Sequence, residues 1–143
     1  MKTLQQILDI KKHKEVISIA PNRPVFDALV ILAEYKIGAL VVLDGEKLVG
    51  IFSERDYARE VILKGKSSKT THINEVMTAE VLSAKPTDTV EQAMSLMSEM
   101  RIRHLPIVEN DKVVGVLSIG DLVKETIAYQ KDLIRQLESY IKS

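Results

Sequence analysis

Apolar positions along the chain switch between a short β-like period and a helical one, and the same succession of switches occurs twice. Val16-Ile17-Ser18-Ile19 is a short extended run stopped by Pro21. Over residues 25–36 the spacing turns helical, with Val25, Ala28, Leu29 and Leu32 at i, i+3, i+4 and i+7 on one face. The β-rich runs 40–43 and 48–52 then flank an Asp44-Gly45 turn signal and predict a hairpin, with four residues between them leaving room for a longer loop. A second helix is expected over residues 54–63. The later succession places Val90, Ala93, Met94 and Met97 on a helix face, followed by runs 105–108 and 113–117 around Asn110-Asp111 and a helix from residue 119. There, Asp88 and Glu91 predict a capping box. Pro106 has no N–H to give a ladder, so its strand is expected to start there or to lie at a sheet edge.

Residues 16–62 and 81–127 are therefore one unit written twice, at a constant offset of 65. Val16, Ser18, Pro21, Val25, Ala28, Ile37, Leu40, Gly50, Ser53 and Asp56 recur as Val81, Ser83, Pro86, Val90, Ala93, Ile102, Leu105, Gly115, Ser118 and Asp121. Two copies are too few for a solenoid, which needs about three stacked units. A pseudo-symmetric pair of β-α-β-β-α motifs is the expectation, an α+β fold in which each half covers the other's apolar face. A single copy of roughly 50–60 residues would bury only a marginal core by itself. The organisation read from the pattern is a lead-in helix at 1–13 (Leu4, Ile7 and Leu8 at helical spacing), a first motif at 14–64, a polar linker at 65–72, a second motif at 73–127 and a helical extension at 128–143. Ile127, Ile134 and Ile141 lie seven apart on that extension, with Leu137 between the last two. The spacing fits a tail folded onto its own body or a helix–helix seam with a second copy of the chain, and leaves both open.

Composition narrows the function classes. Of 143 residues, 45% are apolar and 28% charged, a globular balance. Lys+Arg and Asp+Glu both number 20, so no global field draws in nucleic acid or an anionic membrane, and two Phe, four Tyr and no Trp supply little for base stacking. With no cysteine there are no disulfides, thiol nucleophiles or thiolate metal sites. His13 and His72 sit in polar stretches and read as solvated, and no His or carboxylate spacing makes a metal site. No serine occupies a nucleophile elbow, and the glycines form no phosphate loop. No catalytic constellation emerges, so the chain is expected not to be an enzyme. The start, Met1-Lys2-Thr3-Leu4-Gln5-Gln6-Ile7, lacks a signal peptide's apolar core and no apolar run approaches membrane-spanning length, so a cytoplasmic setting is expected.

Chemistry concentrates in the repeated Ser53-Glu54-Arg55-Asp56 and Ser118-Ile119-Gly120-Asp121, each following a hairpin strand and opening a helix. A hydroxyl beside free helix-terminal N–H groups suits a phosphate, and a carboxylate one turn on can accept from a ribose diol. The same spacing also makes a plain capping box, and by itself leaves both readings open.

The pattern Gly-hydrophobic-hydrophobic-Ser-x-x-Asp at Gly50 to Asp56 and Gly115 to Asp121, with Arg103-His104-Leu105-Pro106-Ile107-Val108, resembles the CBS domain, named from cystathionine β-synthase. The resemblance covers about residues 14–128 and implies a stand-alone tandem pair, its motifs packed sheet-to-sheet as one module with two clefts for adenine nucleotides. By that resemblance, Asp56 and Asp121 hold ribose hydroxyls, and Ser53 and Ser118 meet phosphates. Val81, Leu82 and Ser83 complete the Asp56 cleft, and Val16, Ile17 and Ser18 the Asp121 cleft. Ile37 and Ile102 sandwich the adenine, while Arg55, Arg103 and His104 offer phosphate charge. The copies differ there, Arg55 becoming Gly120 and Gly38-Ala39 becoming Arg103-His104, which predicts unequal occupancies. The implied function is a non-catalytic regulatory, energy-sensing module for AMP, ADP, ATP, NAD or S-adenosylmethionine. It needs no catalytic cofactor, forms a homodimer, and acts on a downstream protein rather than on nucleic acid or a membrane. The rival reading is a constitutive dimerisation scaffold whose Ser-x-x-Asp units are only caps.

Overall fold

The structure, a computed structural model, describes residues 2–11 and 15–142; His13 and the junction between lead-in and first motif lie outside the described residues. Among the described residues six α-helices and five strands follow one another: α1 Leu4–Ile10, β1 Ser18–Ile19, α2 Val25–Tyr35, β2 Ala39–Asp44, β3 Lys47–Ser53, α3 Glu54–Tyr57, α4 Ile73–Val76, α5 Val90–Met100, β4 His104–Glu109, β5 Lys112–Ser118 and α6 Ile119–Lys142. The fold is α+β, as the periodicity predicts. The chain divides into two compact units. One holds Glu15–Leu82 with the hairpin tip Asn110–Val114; the other holds the N-terminal segment, Ser83–Glu109 and Gly115 onward.

In the first unit, β1 runs parallel to β2 and β2 antiparallel to β3, with Val41 opposite Ile51 and Val42 opposite Gly50. Helix α2 lays Val25, Ala28 and Leu32 on this sheet, closing a core with Leu40, Val42 and Phe52. In the second unit, Val90, Ala93 and Met97 of α5 meet Leu105, Ile107 and Leu117 of β4 and β5. Each core residue here stands 65 positions from its counterpart, so the offset seen in sequence is an offset in packing. Both hairpins close with two residues between strands rather than four. Gly45 takes φ +65° in the first, and Asn110 and Asp111 take φ +51° and +63° in the second, a primed-turn geometry that suits strand twist.

The helix after β3 departs from a plain α-helix. One turn, Glu54–Tyr57, widens into a π-helical turn at Ala58–Ile62, with the Leu63 N–H donating to the Ala58 carbonyl. The wider turn buries Val61 completely, and three residues past its end Gly65, with φ +67°, turns the chain into the polar loop.

Two further expectations need correction. The capping box of α5 is Thr89 with Gln92, not Asp88 with Glu91: the Thr89 hydroxyl accepts from the Gln92 N–H and the Gln92 side chain accepts from the Thr89 N–H. Asp88 instead accepts from the Lys85 N–H, across the turn before the helix in which its own N–H donates to the Lys85 carbonyl. The run Val81-Leu82-Ser83 forms no strand, and only one parallel bridge survives, Ala84 to Ile107. Proline causes this. The Ala84 N–H donates to the Pro106 carbonyl and the Val108 N–H to the Ala84 carbonyl. The next bond of a parallel ladder would come from an N–H at position 106, which proline lacks. The first copy has Val41 there, and its ladder extends to Ser18. β4 is thus an edge strand of a two-stranded sheet, as Pro106 predicts: β5 pairs with one side, and on the other Pro106 limits the pairing to the single bridge at Ala84.

The repeat also reaches further back than the offset of 65 shows. Thr3 bridges Thr89, and the Leu4 N–H donates to the Asp88 carbonyl. In the other unit His72 bridges Pro24, and the Ile73 N–H donates to the Arg23 carbonyl. Subtracting 65 from 88 and 89 gives 23 and 24, so Thr3-Leu4-Gln5-Gln6-Ile7-Leu8 and His72-Ile73-Asn74-Glu75-Val76-Met77 are equivalent segments. Each position keeps its class, but the offset here is 69. Each segment opens with a reciprocal bond between its first and fourth residues: the Thr3 N–H donates to Gln6, and the His72 N–H to Glu75. Each then docks on a glycine: a Cβ on Gly50 would come 2.5 Å from the Met77 sulfur, and one on Gly115 2.5 Å from Leu8 Cδ2.

Candidate functional site

Ser53 ends β3 in extended backbone (φ −121°, ψ 165°), and the chain then turns into α3. The Asp56 N–H donates to Ser53 Oγ at 3.2 Å, and Asp56 Oδ2 accepts from the Ser53 N–H at 2.9 Å and from its hydroxyl at 3.0 Å. The capping reading is therefore realised in full. It uses only one carboxylate oxygen. Asp56 Oδ1 accepts instead from the Thr78 hydroxyl at 3.2 Å, and Thr78 is held beside β3 by two backbone bonds of 2.9 Å with Ile51. Arg55 is exposed on the same turn.

Ser118 and Asp121 repeat the box at the start of α6: Ser118 N–H to Asp121 Oδ2 at 2.9 Å, and Asp121 N–H to Ser118 Oγ at 3.1 Å. Thr78 has no counterpart hydroxyl here. A cation arrives instead: Lys11 Nζ lies 3.0 Å from Asp121 Oδ2 and donates to the Val116 carbonyl at 2.8 Å. The C-terminus of α1 fixes its place, since the Lys11 N–H closes on the Ile7 and Leu8 carbonyls. Burial acts to raise the Asp121 pKa, but the Ser118 bonds and the Lys11 ammonium together outweigh it, and the carboxyl stays below its ordinary value.

The loop before each hairpin also meets these turns. Lys36 and Arg101 end α2 and α5 in left-handed conformation (φ +55° and +56°), and Ile37 and Ile102 each return an N–H to the helix, at Leu32 and Met97. That reversal tucks both isoleucines partly under their cores. It also delivers the Gly38 carbonyl to the Glu54 N–H at 3.0 Å and the Arg103 carbonyl to the Ile119 N–H at 2.8 Å. The structure thus brings Ser53, Asp56 and the Gly38 backbone together in one unit, and Ser118, Asp121 and the Arg103 backbone in the other. Arg103 itself is exposed, and His104 is half-buried at the start of β4. Val16 and Ile17 are half-buried ahead of β1, Ser18 belongs to that strand, and Val81 is half-buried; all four fall in the unit of Asp56. Ser83 is exposed and falls in the unit of Asp121.

Thr78 and Lys11 escape a sequence reading. Both lie just beyond the segments whose equivalence appears only at offset 69, Thr78 directly after Met77 and Lys11 three residues after Leu8, and neither is matched by a residue of its own kind in the other copy. Among the described residues no group of His, Asp and Glu is arranged for a metal ion, no helix is long and apolar enough to cross a membrane, and no buried side-chain N or O lacks a partner.

The CBS domain family model matches residues 7–63 and 73–128, taking in both Ser-x-x-Asp turns and both hairpins. The chain belongs to the CBS domain family. A signal-transduction protein with CBS domains from Burkholderia ambifaria superposes with a TM-score of 0.86 at 45% identity, covering 89% of this chain and 95% of that one. A mitochondrial CBS domain-containing protein of Arabidopsis thaliana, CBSX3, is 37% identical over 123 residues, 82% of this chain; the match spans 60% of that protein's length. A CBS domain pair solved in complex with 5′-methylthioadenosine and S-adenosyl-L-methionine superposes at a TM-score of 0.79 with 27% identity, over 90% of this chain and 98% of that one. The family model opens its two CBS matches at Ile7 and Ile73, inside the two equivalent docking segments.

Proposed function

We propose that this CBS pair is a non-catalytic regulatory module that binds adenine nucleotides or adenosine derivatives at two sites, one at each Ser-x-x-Asp turn. The observation that carries the reading is the use of the carboxylates. In both copies the cap falls on Oδ2, and an ionised carboxylate offers about four acceptor positions, so a capping aspartate can still receive a ribose diol. The related pair bound to methylthioadenosine and S-adenosylmethionine supports the adenosyl class.

In this reading Asp56 and Asp121 hold the ribose, and Ser53 and Ser118 face the phosphate or its replacement. Val81, Leu82 and Ser83 serve the first site and Val16, Ile17 and Ser18 the second, with Ile37 and Ile102 against the base. The sites differ in charge: Arg55 serves the first, while Gly120 leaves the second to Arg103, His104 and Lys11. Different ligands, or different occupancies, follow. Regulation requires that the ligand bind one arrangement of the chain better than another, because equal affinity shifts nothing.

The test is a thermal-shift panel of AMP, ADP, ATP, NAD and S-adenosylmethionine with GTP as control, read on the wild type and on Asp56→Ala, Asp121→Ala and the double variant. At about 100 times Kd each independent site adds roughly 2.7 kcal/mol of stability. Each single variant is expected to remove one calorimetric binding event, and the double variant all of the adenine-selective shift. A flat wild-type panel on nucleotide-free protein moves the assignment to the dimerisation scaffold.

A further inference from the structure

Helix α6 runs 24 residues, yet among its described side chains only Leu122 is buried. Beyond Thr126 every described position is exposed, so of the two readings the spacing left open, a tail folded onto its own body is not the one seen. The exposed apolar groups are ordered. Val123 (40% exposed), Ile127 (48%), Ile134 (54%), Leu137 (55%) and Ile141 (79%) fall at the two apolar positions of a heptad, with Leu133 (43%) beside them. The last 16 residues of α6, 127–142, extend for about 24 Å with no described side chain buried, although in proteins most helical stability comes from packing of an amphipathic face.

We infer that this stripe is the seam of an antiparallel helix pair, made with α6 of a second copy of the chain. Area is the first argument. The exposed parts of these six side chains amount to roughly 550 Å² per chain, so a pair would cover about 1,100 Å² before any flanking stems are counted, above the ~1,000 Å² that a biological interface should clear. A patch of roughly 550 Å² is at the upper end of what a monomer exposes, and patches of that size often mark an interaction site.

Charge decides the direction. With Ile127 set opposite Leu137 of the partner subunit, Val123 meets the partner's Ile141 and Leu133 meets the partner's Leu133. That register carries Lys124 to Glu138 of the partner subunit at both ends of the seam. Lys131 falls opposite the partner's Lys131 at the rim, where its long stem reaches water. In a parallel pair the flanking positions would match Lys124 with Ile119, Lys131 with Thr126 and Glu138 with Leu133, and no charge pair forms. The antiparallel arrangement also keeps the two helix dipoles opposed. The inference does not rest on nucleotide binding.

The experiment is sedimentation equilibrium on the full chain without nucleotide. Wild type and four variants are compared: Ile134→Glu, Lys124→Glu, Glu138→Lys, and the double exchange Lys124→Glu/Glu138→Lys. Positions 134 and 138 are exposed, so these variants are expected to keep the wild-type melting temperature within a few degrees. Ile134→Glu is expected to halve the mass, whether the wild type is a dimer or a larger even assembly. Each single charge variant should weaken association several-fold, and the double exchange should restore it. An Ile134→Glu protein of wild-type mass overturns the seam; charge variants that associate like wild type overturn the antiparallel direction.

Discussion

Asp121 and Asp56 are the same residue of the same motif, yet their neighbours give them different electrostatics. Asp56 receives a neutral hydroxyl from Thr78, and Asp121 an ammonium from Lys11. For Asp121 the sign is fixed by its lowered pKa. The unfolded chain binds a proton there near the ordinary value of about 3.9, and the folded chain only at lower pH. The ionised form therefore adds stability above about pH 4, and that contribution is lost as pH falls through the folded pKa. Removing Lys11 takes away part of the lowering, while the Ser118 bonds remain. Lys11→Met is accordingly expected to cost under about 1 kcal/mol at pH 7, since the pair is partly exposed, and to narrow its gap from wild type as pH drops below about 4. Urea titrations between pH 2.5 and 7 check this; a gap that stays constant through that range would mean that Lys11 acts through its stem rather than its charge.

At the scale of elements, most of the pattern was legible. The helical face of Val25, Ala28 and Leu32 and its copy at Val90, Ala93 and Met97 lie buried as their spacing requires. The misses come from bonds between elements, which spacing within one element does not carry. Val81, Leu82 and Ser83 have strand composition, but a proline on the neighbouring strand withholds the bond that would pair them. The segments that cross to Gly50 and Gly115 are short and only class-conserved, and a four-residue difference in spacing hides their equivalence. Their docking is testable. Gly115→Ala drives a methyl group into Leu8, and overpacking of this kind costs about 1–3 kcal/mol. Leu8→Ala opens space at the same point, so the double variant should be more stable than the sum of the two losses predicts, by an interaction energy of about 0.5–3 kcal/mol. Strict additivity in chemical denaturation would show that α1 does not bear on β5.

Across the whole chain, packing is crossed relative to sequence. The segment that precedes the first repeat completes the core of the second: Leu4 is fully buried and Ile7 nearly so among Val90, Met97, Leu105 and Leu122. The segment between the repeats completes the core of the first, with Ile73 and Val76 among Val25, Phe52 and Val61. The second core is therefore assembled from chain on both sides of the first, while the first takes its closing segment from the stretch that follows it, and the boundary of a repeat is not the boundary of a core. Damage at residue 4 should appear a hundred residues away. Leu4→Ala deletes a buried side chain and is expected to cost about 2–5 kcal/mol, and Ile73→Ala a similar amount in the other core. Native-state hydrogen exchange separates the two. Leu4→Ala should speed exchange first at Leu105, Ile107 and Leu117, while Leu40, Val42 and Phe52 keep most of their protection; Ile73→Ala should give the reverse. Local opening free energies report the cooperative unit to which an amide belongs, so a Leu4→Ala protein whose β2 and β3 amides lose protection first would assign α1 to the repeat beside it in sequence and overturn the crossed arrangement.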